Sequence, residues 1–142
     1  MPRILSLAAM GMIAMACWAP ASARAQRPEF ADVELTKVRS QMKSGGAVLI
    51  DAREPAAFER SHLKGATSLP MSQLRDWDRF GIGRVDKQNL AKTLPKGSAI
   101  YVQGPGPRAA RAAGLLQGMG YQAQPLRANW GQFLDAGFTA IP

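Results

Sequence analysis

One stretch narrows the possible folds more than any other. From Ala99 to Gly120 the chain reads Ala-Ile-Tyr-Val-Gln-Gly-Pro-Gly-Pro-Arg-Ala-Ala-Arg-Ala-Ala-Gly-Leu-Leu-Gln-Gly-Met-Gly. Ala99 to Val102 is a short apolar run with β-branched and aromatic residues, the composition of a buried strand. Gln103 to Pro107 is a Gly/Pro turn. From Arg108 the pattern is helical, with Ala112, Leu115, Leu116 and Met119 on one face and Gly120 placed to end it. A strand, a tight loop and a helix N-terminus in that order form an anion cradle, because free N–H groups face the loop and the helix dipole favours negative charge.

The rest of the chain repeats the same alternation. Asp32 is read as the N-cap of a helix carrying Leu35, Val38 and Met42 on one face, stopped at Gly45-Gly46. Ala47 to Asp51 is an apolar strand ending in an acid, suited to a central parallel position covered on both sides. Pro55 opens a short helix through Phe58. Ser61 to Ala66 reads as a loop, and Thr67 to Pro70 as a second strand. Met71 to Phe80 and Asp86 to Leu94 read as helices separated by a break at Gly81 to Arg84. Trp77, Arg79 and Phe80 on the first of these form either an exposed contact patch or a local cap on the core. Ala123 to Leu126 is a last strand, and Asn129 caps a helix through Trp130, Phe133 and Leu134. Strands alternating with helices imply an α/β domain with a mainly parallel sheet between helical layers. Its ligand loop belongs at the C-terminal ends of the strands.

Three stretches carry a family resemblance. Leu49-Ile-Asp-Ala-Arg-Glu-Pro-Ala-Ala-Phe58, followed by Ser-His-Leu-Lys-Gly-Ala-Thr-Ser-Leu-Pro, resembles the rhodanese (sulfurtransferase) signature D-x-R-E-x-x-x-F/Y … H-I-x-G-A-x-x-I-P. The tail resembles L-x-G-G-x-x-x-W-x-x-A-G-Y/F, with Ala128-Asn129 in place of the two glycines and Phe133 in place of the tryptophan. The loop from Gln103 to Arg108 has the spacing at which that superfamily runs from a catalytic cysteine, through four residues, to an arginine opening an Ala-rich helix. The resemblance covers Asp32 to Ile141. It implies a rhodanese-like three-layer α/β/α domain, here residues 32–142. It also implies structural roles for Asp51, Arg53, His62 and Gly65. In such enzymes a thiolate takes sulfur from a donor such as thiosulfate and carries it as a persulfide.

The N-terminus bears on that chemistry. Met1-Pro2-Arg3, the uncharged run Ile4 to Trp18 and the small-residue site ending at Ala25 read as a secretory signal peptide over residues 1–25, with 26–31 a short lead-in. An uncleaved anchor and lipidation at Cys17 are the two alternatives. Cys17 is the only cysteine of the chain, so cleavage after Ala25 leaves no thiol for a disulfide, a metal or a persulfide. It also lowers the net charge from +8 to +6 by removing Arg3 and Arg24. The basic residues are scattered, which speaks against nucleic acid and for an acidic partner or anionic surface. The expected location is the periplasm or the exterior, with no membrane span after cleavage.

Gln103 then decides the chemistry expected of the loop. An amide is neither a nucleophile nor ionisable, so sulfur transfer by the family's route is closed. Pro105 and Pro107 lack N–H groups, which leaves Gly104, Gly106, Arg108 and Ala109 as backbone donors. With Gln103 and the Arg108 guanidinium they form the candidate ligand site, open to sulfate, phosphate or a carboxylate, against a purely structural turn. Arg111, one turn on, adds positive potential or a solvated face. His62, the single histidine, reads as structural rather than metal-binding. Asp51 and Arg53 read as a charge-assisted pair. Ser68 and Ser72 have no triad partner at a recognisable spacing. The expectation is an exported, catalytically inactive rhodanese-like binding or regulatory module without a cofactor, serving an envelope protein or a small anion. An enzyme using a partner-supplied thiol and a purely structural envelope module are the alternatives.

Overall fold

The computed structural model describes residues 33–142. Residues 1–31, read above as a signal peptide and lead-in, together with Asp32, lie outside the described residues. The elements in order are α1 (Leu35–Lys43), β1 (Ala47–Asp51), α2 (Pro55–Arg60), β2 (His62–Leu63), β3 (Ala66–Ser68), α3 (Met71–Phe80), α4 (Arg84–Thr93), β4 (Ala99–Gln103), α5 (Arg108–Gly118), β5 (Ala123–Pro125), α6 (Trp130–Asp135) and β6 (Ala140–Ile141).

Four of the strands form a parallel sheet in the order β3-β1-β4-β5. β1 and β4 are central, paired from Ala47 opposite Ala99 to Asp51 opposite Gln103. Their alternation sorts the core into two halves. Ile50, Ile100 and Val102 pack with Leu74 of α3, Leu90 of α4, and Ala112, Ala113 and Leu116 of α5. Leu49 and Tyr101 pack with Val38 of α1, Phe133 of α6, Leu63 and Phe138. Helices on both faces of a parallel sheet make the three-layer α/β/α arrangement that the alternation of elements predicts. Tyr101 also donates from its hydroxyl to Gln41 Oε1 at 2.6 Å, tying β4 to α1.

Several boundaries differ from the sequence reading for local reasons. α1 begins at Leu35 with Glu34 at the cap position, not Asp32. The segment 61–66 is not all loop: β2 pairs antiparallel with β6, His62 opposite Ile141. A ladder of two residues leaves no readable periodicity. The second strand is Ala66–Ser68 and the fifth ends at Pro125. α4 starts at Arg84, because Gly83 serves as its N-cap rather than as a breaker. Trp77 is half-buried against the α5 side of the core and caps it. Phe80 beside it is 75% exposed, with the Arg79 guanidinium 5.3 Å from its ring centroid. At α6 the cap is reciprocal: Asn129 Oδ1 accepts from Gln132 N at 2.9 Å, and Gln132 Oε1 accepts from Asn129 N at 2.8 Å.

The C-terminal end of β1 is fixed by a charge pair. Asp51 is fully buried, and its carboxylate accepts from the backbone N, Nε and Nη2 of Arg53 at 2.6 to 3.0 Å. The same Nη2 donates to the Ser61 carbonyl at 2.8 Å, and the guanidinium lies 5.2 Å over the Trp130 ring. One arginine thus joins β1, the α2–β2 corner and α6. Removing one partner of a buried pair leaves an uncompensated charge, which costs more than the pair contributes. Arg53→Ala is expected to lower the unfolding free energy by about 3 kcal/mol. Neutralising both ends in Asp51→Asn/Arg53→Ala should recover part of that loss. Urea unfolding followed by tryptophan fluorescence checks both, and a loss below about 0.5 kcal/mol, the range of an ordinary surface change, would contradict this role.

Candidate functional site

β1 and β4 end side by side, and the chain leaves both into loops at this edge. Ala52 N donates to the Gln103 carbonyl at 2.9 Å, and Leu69 N donates to the Asp51 carbonyl at 3.0 Å. The backbone under the site is therefore held by both neighbours of β1. Gln103 is 5% exposed, and its Nε2 finds no acceptor among the described residues. Its neighbour in register, Asp51, is already engaged by Arg53.

Beyond Gln103 the chain turns tightly. Arg108 N donates to the Pro105 carbonyl at 3.2 Å, and Arg111 N to the Pro107 carbonyl at 3.0 Å. Gly106 has φ +55, in the left-handed region where an L side chain is strained. The amides of Gly104, Gly106, Ala109 and Ala110 donate to no carbonyl among the described residues. The donor set thus differs from the sequence reading at one position. The Arg108 amide closes the turn on Pro105, and the Ala110 amide is free in its place. The carbonyl that Ala110 would meet in a regular helix belongs to Gly106, which is not helical. A Cβ on residue 104 would stand 3.6 Å from the Ala109 nitrogen, beside one of these donors.

Next to the loop, between α3 and α5, lies a cavity of about 250 Å³. Arg75, Arg108 and Arg111 line it with Met71 and the two prolines, and none of the three arginines forms an ion pair among the described residues. Glu54 is its one carboxylate, held by Ser72, whose Oγ donates to Glu54 Oε2 at 2.8 Å. Sequence reasoning found Arg108 and Arg111 but not Arg75 or Glu54. The available signal was the spacing of Met71 and Arg75, one helical turn apart and so on one face.

Of the remaining singled-out residues, His62, Ser68 and Gly65 lie apart from this cluster, while Ser72 borders it through Glu54. His62 Nδ1 donates to the Phe58 carbonyl at 3.0 Å, and its ring stacks on Phe58 at 3.9 Å between centroids. Ser72 therefore meets an acid but no histidine. Ser68 sits on the edge strand β3. Gly65, with φ +86, turns the chain into β3 at the far end of the sheet, against Met42. Among the described residues no three of His, Cys, Asp and Glu converge as a metal site would need, and no helix is long and apolar enough to cross a membrane. What the cluster at the loop offers is mainly donors and positive charge: four free amides, a buried carboxamide and three guanidiniums, against the single Glu54 carboxylate.

Comparison with known proteins agrees with this architecture. The chain is similar in fold to the Alr3790 protein of Anabaena sp. at 18% identity and a TM-score of 0.59, over 77% of this chain and 90% of that one. It is similar to a rhodanese-related protein of Thermoplasma volcanium at 16% and 0.56, over 78% and 96% of the two chains. The human single-domain sulfurtransferase TSTD1 is 24% identical with a TM-score of 0.55, over 72% and 94%. No match is found among curated proteins. Residues 34–141 match the rhodanese-like domain family, and with the sheet order, the paired Asp51 and Arg53 and the strand–loop–helix of residues 99–118 on the same scaffold, this chain belongs to that family.

Proposed function

We propose that this protein is an exported rhodanese-like domain without sulfurtransferase activity, and that it works as a binding module receiving an anion at the 103–108 loop. The observation that carries the reading is the buried Gln103 amide without an acceptor, at the position where the family resemblance places the cysteine. A thiolate or persulfide there would itself be the anion that the loop amides stabilise. A carboxamide reverses the relation, because its NH2 group donates. Together with the amides of Gly104, Gly106, Ala109 and Ala110 it asks for an oxyanion from outside, and the unpaired Arg75, Arg108 and Arg111 favour the same charge. The apolar, small-residue-terminated N-terminus supports export, and with it the loss of Cys17 from the working chain.

The first test is chemical. The chain without residues 1–25 is expected to show no thiosulfate:cyanide sulfur transfer above the blank. Sulfate, phosphate or thiosulfate should shift the amides of Gly104, Gly106, Ala109 and Ala110, with affinity about tenfold weaker in Arg108→Ala, the loss of one charge-assisted contact. Turnover would restore the enzyme reading, including one with a thiol from a partner. Unmoved amides would leave a structural module.

A second test separates a ligand-directed amide from a packing one. An unpaired buried donor costs stability, whereas methionine fills a similar volume without it. Gln103→Met should therefore raise the unfolding free energy by about 1–2 kcal/mol while weakening anion binding. A variant that is less stable and binds equally well would contradict the proposal.

A further inference from the structure

The end of the sheet opposite the loop carries a second cavity, of about 360 Å³, that the reading above does not use. It lies ahead of the N-terminal ends of β1 and β3, where α1 and the β2–β3 turn meet the segment before β6. Its apolar floor is Met42 and the buried Phe138. Three cations stand over that floor. Arg39 and Lys43 are one turn apart on α1, and Lys64 comes from the turn.

Two of these positions are built rather than incidental. Lys64 N donates to the Thr139 carbonyl at 2.8 Å, which fixes the turn against the opposite wall. The Arg39 guanidinium lies against Gly137, where a Cβ would come within 3.1 Å of Cζ. Gly137 has φ +88, a backbone conformation that favours glycine, and a Cβ there would press on the Arg39 guanidinium. No carboxylate lines the cavity, and none of the three cations forms an ion pair among the described residues. Like charges gathered without a counter-ion favour an anion. The methionine and phenylalanine under them favour an anion with an apolar body, since a fully hydrated one would leave that floor unmatched.

We propose that this cavity binds the headgroup of an anionic phospholipid, with the phosphate among Arg39, Lys43 and Lys64 and the start of the acyl region on Met42 and Phe138. Three cations exceed what one carboxylate engages, and a phosphodiester presents several acceptor oxygens to them. Lys43 and Lys64 are exposed at the rim and reach a bilayer surface without any change of fold.

The test uses the full chain, isotope-labelled for amide shifts, and dihexanoyl phosphatidylglycerol kept below its micelle concentration. Gly65, Gly137 and Thr139 should shift, with affinity at least ~10-fold above that for glycerol 3-phosphate, the contribution of about two buried methylenes. Lys43→Gln/Lys64→Gln, confined to exposed side chains, should weaken binding about 25-fold, near fivefold for each charge, and leave the Gly104 and Ala109 amides unmoved. Equal affinity for dihexanoyl phosphatidylcholine, for glycerol 3-phosphate or for an acetylated triglutamate peptide overturns the assignment. So does an unaffected double variant, or shifts confined to the loop. The two sites lie at opposite ends of the sheet, so failure of one leaves the other standing.

Discussion

The buried contact between Asp51 and Arg53 is the constraint from which the working end of this domain follows. A carboxylate with no solvent exposure at the end of a central strand is tolerable only if its charge is met. The residue that meets it is two positions along the same chain, so the backbone must turn at once. That turn aims the arginine at Ser61 and lays it over Trp130. Three segments distant in sequence are thereby held around the edge where β4 ends. The loop after β4 inherits this rigidity, since Gln103 is bonded through its carbonyl to Ala52, the residue between the two charges.

On that frame the strand, loop and helix of residues 99–118 leave several backbone amides without a carbonyl partner among the described residues, beside the buried Gln103. The two prolines do less harm to the donor set than their missing N–H groups suggest. Pro105 supplies the carbonyl that closes the turn, and Pro107 precedes the helix where an amide would be unpaired in any case. What they add is stiffness, which lowers the entropy lost when a ligand is held. Under the proposed function, such a stiff loop of donors next to three unpaired arginines needs no rearrangement to receive an anion.

Much of this was legible in the sequence, and the parts that were not share a cause. The parallel sheet and its helical layers follow from apolar runs of four or five residues alternating with helical periodicity, as at Ala47–Asp51 and Ala99–Gln103. The Asn129 cap was readable because a side-chain oxygen and Gln132 stand three residues apart. β2 and β6 were not, since two-residue strands are made by each other and carry no pattern of their own. Gly83 was ambiguous because glycine both breaks and caps. At the site, Gln103 and Arg108 were visible from the family resemblance of the 103–108 loop. The Ala110 amide was not, because which backbone donors remain free depends on the conformation of Gly106. Arg75 and the three cations over Met42 were hidden for a different reason. They converge from separate elements, and only the packing of those elements brings them together.

The unpaired Gln103 amide is where the local and the global logic of the chain disagree. Every other buried side-chain donor or acceptor among the described residues has a partner, including the hardest one, Asp51. A sequence that satisfies its polar groups so fully elsewhere has one exception, at the C-terminal end of a central strand, in the position open α/β sheets use for ligands. Simple packing does not account for it, since leucine or methionine would fill the same volume without the desolvation cost. The exception acquires a reason once the acceptor is taken to come from outside the chain. On that reading the carboxamide has a function, because an idle buried position would be free to become apolar. Under the proposed function, a donor stands where the family resemblance places a thiolate, and a loop that would hold an anion of its own receives one from outside.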